Sequence, residues 1–265
     1  MLDSELKTAI EAAKEAGRIL RSMSGKAAIG YKGEVNLVTE ADRASEKSII
    51  SLIRKRFPGD EILAEETGSH KTGSKRKWLI DPLDGTTNYA HGFPFWAISI
   101  ALEIEGKVVL GIVYDPSRDE LFTARKGEGA FLNERRISVS QEKELGKSLL
   151  TTGFPYNIRE TTNDNLDNFA RFCKKARAVR RPGSVALDLS YLACGRFDGY
   201  WELSISPWDV AAGILILEEA GGMVSDFSGK KLDIYKEKDI LATNGKIHNQ
   251  MMEVLKQPNS QAWHS

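Results

Sequence analysis

The chain has 265 residues, and 37 Lys+Arg balance 37 Asp+Glu to give a formal net charge of zero. With 41% hydrophobic and 28% charged residues it is neither disordered nor collagen-like, and its neutrality argues against broad electrostatic binding of nucleic acid or an anionic membrane. The longest apolar run (Val210 to Leu217) is far short of a spanning helix, Met1 to Glu5 lacks the basic-then-apolar order of a signal peptide, and Cys173 and Cys194 have no metal-ligand spacing, so a cytoplasmic enzyme is expected.

Leu6, Ile10, Ala13, Gly17 and Leu20 recur at helical spacing and predict a first amphipathic helix, with Ser4 as its cap. A second helix is predicted from about Ala41 to Phe57, with Ala44, Ile49, Ile50 and Ile53 inward, and Pro58-Gly59 ends it. Glu61 to Ala64 reads as a short strand. Glu66 to Lys77 is rich in Gly, Ser and Lys and reads as an exposed, mobile loop. Trp78-Leu79-Ile80 is an apolar strand that runs into Asp81. An antiparallel meander is predicted over Ala97 to Ile104, Val108 to Tyr114, Glu120 to Ala124 and Ala130 to Leu132. Beyond it, Ser184 to Ala193 reads as helix, Phe197 to Glu202 as extended and Trp208 to Ala220 as helix, with Gly221-Gly222 as the stop. Met223 to Asp226 and Ile240 to Ala242 read as strands, His248 to Leu255 as a last helix, and Gln257 to Gln261 as a frayed tail. A composition shift near residues 140 to 150 suggests an N-terminal α+β half, 1 to 145, and a C-terminal α/β half, 146 to 265, in one compact unit.

The chemically informative stretch is Asp81-Pro82-Leu83-Asp84-Gly85-Thr86-Thr87-Asn88-Tyr89. Two carboxylates lie three residues apart at a strand end, stiffened by a proline, and can converge on one point. Close carboxylates in a dry site repel unless a cation lies between them, and hard oxygen donors suit Mg²⁺ or Mn²⁺. Gly85-Thr86-Thr87 can aim backbone N–H groups at an anion. The same residue types also make ordinary turns. Glu65-Glu66 can equally be a solvated pair, and Asp209, at the head of the apolar helix, a simple cap. Their joint occurrence, with Glu65 following a strand that can lie beside the Asp81 strand, is what singles out a metal-and-phosphate site.

These segments resemble the inositol monophosphatase family, within the Mg²⁺-dependent, lithium-sensitive phosphatase superfamily. The match runs through Leu37-Val38-Thr39-Glu40-Ala41-Asp42, Ala64-Glu65-Glu66, Trp78 to Asn88, Trp208-Asp209-Val210-Ala211-Ala212-Gly213 and Glu218-Glu219-Ala220-Gly221-Gly222. The resemblance implies an α/β fold, a layered αβαβα sandwich with an antiparallel N-terminal sheet and a mixed C-terminal sheet, assembled as a homodimer. It implies that Glu65, Asp81 and the Leu83 carbonyl hold one Mg²⁺, that Asp81, Asp84 and Asp209 hold a second, and that Glu65 shares a weaker third. Gly85 and Thr86 would offer backbone N–H groups to the phosphate, and Thr86 would pair with Asp42 to orient the attacking water. Glu65 would take part in catalysis as well as in metal binding. Relatives use an acidic residue at the position of Glu202 to hold sugar or inositol hydroxyls, with Gly183, Ser184 and Val185 lining the same pocket; Asp84 and Asp209 would also face the substrate. Ala64 replaces the usual glycine before the Glu-Glu pair, and the carboxylates remain.

The resulting expectation is a phosphoric monoester hydrolase acting on myo-inositol 1-phosphate or similar polyol monophosphates by metal-activated water. Fructose-1,6-bisphosphatase, or a dual inositol/fructose enzyme, is the nearest competitor, since the same metal core serves both. A regulatory protein contacting RNA or the transcription machinery is the alternative from another class, with Arg180-Arg181 and the lysine-rich Lys71 to Lys77 as basic patches whose ordinary role is solvation.

Overall fold

The N-terminal periodicity becomes helix α1 (Asp3–Met23) in a computed structural model that describes residues 2–25, 29–31, 37–236 and 238–257. Its buried stripe is Ala9, Ala12, Ala13, Ala16, Gly17 and Leu20, so the helix is rotated from the predicted face, and Leu6 and Ile10 stay at its half-buried margin. The small residues account for the rotation by allowing close approach to the sheet: a Cβ on Gly17 would lie 2.7 Å from the Tyr114 ring. Ser4 does not cap this helix. It sits inside the first turn and donates to Glu5, while Leu2 holds the cap position.

Strands β1 (Ile29–Tyr31) and β2 (Leu37–Thr39) pair antiparallel and lead into α2 (Glu40–Arg56). Ile49, Ile50 and Ile53 of α2 are buried as expected, whereas Ala44 is half-buried. Then come β3 (Glu61–Ala64), β4 (Gly68–His70) and β5 (Arg76–Asp84). The stretch expected to be loop throughout thus contains β4, which folds back on β3 as the edge strand of the sheet; an edge needs no apolar residues, which is why the pattern hid it. After the short helix α3 (Thr86–Ala90), the predicted meander is present as β6 (Ala97–Ile104), β7 (Lys107–Asp115), β8 (Glu120–Arg125) and β9 (Gly129–Leu132), extended by β10 (Arg135–Arg136). The eight strands order as β10-β9-β8-β7-β6-β5-β3-β4. All pairs are antiparallel except β3 with β5, so the N-terminal sheet is mixed rather than wholly antiparallel.

The C-terminal part comprises β11 (Leu149–Thr152), α4 (Leu166–Lys175), β12 (Ala178–Arg180), α5 (Val185–Ala193), β13 (Gly199–Leu203), α6 (Pro207–Glu219), β14 (Met223–Ser225), β15 (Asp239–Thr243) and α7 (His248–Leu255). Its mixed sheet orders as β12-β11-β13-β15-β14. All but the first residue of the expected frayed tail lies outside the described residues.

Strand alternation sorts side chains into layers. Trp78, Ile80, Ile98, Ile100 and Ile112 meet α1 and α2, while Leu79, Ala97, Ala101 and Val113 meet α5 and α6 on the opposite face. On the smaller sheet Tyr200, Ile240 and Ala242 face α5 and α6, and Trp201 and Leu241 face α4 and α7. The order is αβαβα. As the middle layer, α6 is apolar all round: Val210, Ala211, Ala212, Leu215, Ile216 and Leu217 are buried. Among the described residues no helix is long and apolar enough to cross a membrane.

One glycine sets the seat of α6. A Cβ on Gly111 of β7 would lie 2.8 Å from the Ala212 carbonyl oxygen and 3.1 Å from its Cα. Backbone cannot swing aside as a side chain can, so Gly111→Ala is expected to cost about 1–3 kcal/mol, the usual range for overpacking. Denaturant unfolding measures this directly, and unchanged stability would mean that α6 can slide.

His248, at the head of α7, is buried, with Nε2 at 2.9 Å from Ser225 Oγ and Nδ1 at 3.1 Å from Thr243 Oγ1. Burial holds its pKa below the ordinary 6.5. The neutral ring is therefore favoured by folding; its contribution is complete above the unfolded value and is lost as the pH falls through the folded one. The stability gap between wild type and His248→Asn is expected to shrink as the pH drops from about 7 to about 5, read by melting temperature across that range.

Candidate active site

Two local features bring distant acidic residues together. β3 and β5 run parallel with Ala64 opposite Ile80, and the Glu65 N–H donates to the Ile80 carbonyl at 3.1 Å. Glu65 and Asp81 therefore leave adjacent strands at the same level. β5 then bulges: Asp81 lies opposite Ser99 and Asp84 opposite Ala97, so three steps on one strand match two on the other. On a regular strand, side chains three apart point to opposite faces, and the extra residue returns Asp84 to the face of Asp81. Leu79 uses that face to meet the helical middle layer, and Asp209 stands in the first turn of α6. Ser99 Oγ donates to the Trp208 carbonyl at 3.2 Å, tying the head of α6 to the strand position opposite Asp81.

A cavity of about 330 Å³ results. Glu65, Asp81, Leu83, Asp84, Gly85, Thr86, Gly183, Ser184, Val185, Glu202 and Asp209 all line it. Asp42 lies behind the wall, buried in the first turn of α2, with Oδ1 at 3.0 Å from Thr86 Oγ1; the same hydroxyl is 3.0 Å from the Leu83 carbonyl. Asp42 is therefore not a solvated helix-start carboxylate.

The electrostatics are one-sided. Among the described residues that line it, Arg181 is the only cation. Burial, followed by the charges of Glu65, Asp84 and Asp209, pushes the Asp81 carboxyl well above the usual range. Asp209 is raised by burial and then by Asp84 and Glu65. Burial pushes Asp84 up to about 6, against the opposing effect of hydrogen bonds from Ser184 Oγ at 2.5 Å and the Ala186 N–H at 2.6 Å, both to Oδ2. Asp209 Oδ2 accepts the Ser206 N–H at 2.8 Å, so its capping role is real as well. Among the described residues, no three Asp, Glu, His or Cys groups stand as a ready-made ligand cage. The donor chemistry nevertheless fits a hard divalent cation: carboxylates raised by burial and by one another's charge, with the Leu83 carbonyl beside them and no imidazole or thiol among the described lining residues.

Beside the acids, Gly85 has φ +94°, and a Cβ there would lie 3.0 Å from the Phe95 carbonyl oxygen and 3.2 Å from that of Gly183. Glycine alone suits this turn, and the first turn of α3 that follows leaves N–H groups without intrahelical partners. Asn88 Nδ2 donates to the carbonyls of Phe95 at 2.7 Å and Pro182 at 2.8 Å, fixing the Gly183 loop against the cavity.

Sequence reasoning missed Gly153, Phe154, Pro155 and Tyr156, which form a wall at the end of β11. Their signal was a strand of four residues before a Gly-x-Pro turn. Of the two basic patches, only Arg181 reaches the cavity. Lys75 and Lys77 instead pair with Glu105 and Glu103 at 2.8 and 3.2 Å.

Comparison with known proteins finds relatives over nearly the whole chain. A model of the inositol monophosphatase family matches residues 1–260. An inositol-1-monophosphatase of Synechocystis is 47% identical over 96% of this chain and 89% of its own length. A protein of Pseudomonas aeruginosa named Nus factor SuhB is 41% identical over 94% of this chain and 95% of its own. A solved inositol monophosphatase from Anabaena superposes with a TM-score of 0.90 at 46% identity, covering 99% of each chain.

Proposed function

The chain belongs to the inositol monophosphatase family, and from that premise we propose that it hydrolyses myo-inositol 1-phosphate and similar polyol monophosphates with Mg²⁺, or Mn²⁺, as cofactor. The observation that carries the reading is that Glu65, Asp81, Asp84 and Asp209 line one cavity beside Gly85 and Thr86.

In this reading Glu65, Asp81 and the Leu83 carbonyl hold one ion, Asp81, Asp84 and Asp209 hold a second, and Glu65 shares a weaker third. Bound divalent ions make water more acidic and stabilise a departing alkoxide. The chain supplies the rest. Gly85 and Thr86 direct backbone N–H groups at the phosphoryl oxygens, where preorganised donors are worth most. Asp42 Oδ1 accepts the Thr86 hydroxyl proton, which leaves Thr86 Oγ1 free to accept a hydrogen bond from the attacking water and turn its lone pair towards phosphorus. Glu65 takes part in the same water's activation. Glu202 accepts hydrogen bonds from leaving-group hydroxyls, and Gly183, Ser184 and Val185 shape the space around them. Burial pushes the Glu202 carboxyl up to about 7, opposed by the Tyr200 hydrogen bond.

Phosphate release from a panel of monoesters and bisphosphates, with and without Mg²⁺, tests the proposal. Turnover of polyol monophosphates that needs the metal and falls with Li⁺ is the expected result. Preference for fructose 1,6-bisphosphate would move the activity to the competing sugar branch, and no release from any ester at saturating Mg²⁺ would overturn it. The relative named Nus factor SuhB favours a second, regulatory reading, in which the chain contacts RNA or the transcription machinery. Asp84→Asn separates the two: it removes hydrolysis and leaves partner binding intact. The proposed assembly is a homodimer, which sedimentation would measure.

A further inference from the structure

We propose that Tyr200 and Gly153 are positioning residues that hold the Glu202 carboxylate in the pose needed to select hydroxyl-rich leaving groups. The inference rests on the reading of Glu202 as the residue that accepts substrate hydroxyls, and names what makes that side chain selective.

Tyr200 and Glu202 are two residues apart on β13 and share a face, while Trp201 points the other way. Tyr200 is fully buried, and its hydroxyl donates to Glu202 Oε2 at 2.7 Å. Burial and the neighbouring Glu202 and Asp188 charges push its phenol well above the ordinary value, so the hydroxyl is a permanent donor. With Oε2 held, the carboxylate can offer Oε1 to a substrate hydroxyl.

Gly153 closes the clamp from the other side. β11 runs parallel to β13 with Thr152 opposite Trp201, which sets Gly153 beside Glu202. A Cβ on Gly153 would overlap both oxygens and Cδ of the carboxylate. The backbone itself does not demand glycine, because Gly153 is absent from the positive-φ positions of the chain; it is the acid that needs the room. Nor can the Gly153 backbone readily recede. Its carbonyl accepts Asn165 Nδ2 at 2.7 Å, and Asn165 Oδ1 accepts Trp201 Nε1 at 2.8 Å, closing a buried loop of hydrogen bonds back to β13.

The test compares KM and kcat for myo-inositol 1-phosphate and for p-nitrophenyl phosphate, whose leaving group has no alcohol hydroxyls beyond the ester oxygen, at saturating Mg²⁺ in Glu202→Gln, Tyr200→Phe and Gly153→Ala. Tyr200→Phe is expected to raise KM for the inositol ester about 5–10-fold, the fold-change of one hydrogen bond, and Gly153→Ala by more. The rise for the aryl ester should be at least about threefold smaller, since a hydrogen bond that substrate cannot use has no bearing on it. Gly153→Ala combined with Glu202→Asp should recover part of the loss by shortening the acid. If Glu202→Gln raises the inositol KM and neither positioning variant does, the clamp is overturned and the role of Glu202 stands. If Glu202→Gln leaves it unchanged, the role of Glu202 falls and the clamp with it. Equal losses on both esters would mark a general structural effect and also overturn the clamp. Should Gly153→Ala fail to fold, Tyr200→Phe decides alone.

Discussion

Asp209→Asn is expected to lower turnover at least about 100-fold, a loss that even outer-shell changes can reach at metal sites, while raising the melting temperature of the metal-free protein. The two effects have one cause. Asp209 is raised by burial and by the charges of Asp84 and Glu65. A raised carboxylate burdens the folded state at neutral pH, and the burden lifts only as the pH falls and the group protonates. Asparagine removes the charge, and its carbonyl can still accept the Ser206 N–H that Asp209 Oδ2 now accepts at 2.8 Å, so the head of α6 keeps its cap. Added Mg²⁺ should raise the melting temperature of the wild type, because a ligand that binds only the folded form stabilises it, and should raise that of the variant far less. An unchanged Mg²⁺ concentration for half-activation in Asp209→Asn would remove Asp209 from the metal site.

Gly85→Ala is expected to lose stability and turnover together. A left-handed backbone costs a residue with a Cβ about 1–2 kcal/mol, and at φ +94° the new methyl would also meet the carbonyl oxygens of Phe95 and Gly183 at 3.0 and 3.2 Å. Each kcal/mol lowers the melting temperature of a domain this size by about 2–4 °C. Relief must come from moving the turn that carries the Gly85 and Thr86 N–H groups, and loss of one such donor elsewhere costs about 10²–10³ in rate. Gly106→Ala is the control. It has φ +75° in the β6–β7 hairpin with nothing within 4 Å of the new methyl, so it carries the strain without touching the cavity. Equal losses of turnover in both variants would show that strain alone is responsible.

Much of this was legible in the chain. The alternation of Ala97 to Ile104 and Val108 to Tyr114 marks the meander, and the helical spacing of Ile49, Ile50 and Ile53 marks α2, because these segments are long enough to show a period. β11, β12 and α4 were not legible. Two are strands of four and three residues, too short to show a period, and α4 follows Asn163-Asp164-Asn165, which reads as loop until tertiary contacts bury Asn165 and Asn168. At the site the acids were readable from spacing and family resemblance. The bulge that turns Asp84 to the side of Asp81 was not, since a bulge is a property of two strands in register. Gly153 was invisible for a related reason: its importance lies in a carboxylate that the neighbouring strand brings against it.

The placement of α6 has a consequence for how such a molecule can change over time. Wedged between two sheets and touching five strands of the larger one, it can tilt only if the layers part, so Asp209 and the acids facing it form a fixed floor. The rim is made of turns at strand and helix ends; Ser184 and Ser206 brace Asp84 and Asp209, but Phe154 to Tyr156 can be rewritten without disturbing that floor. New substrate tastes can therefore be acquired one turn at a time, with the hydrolytic centre inherited whole.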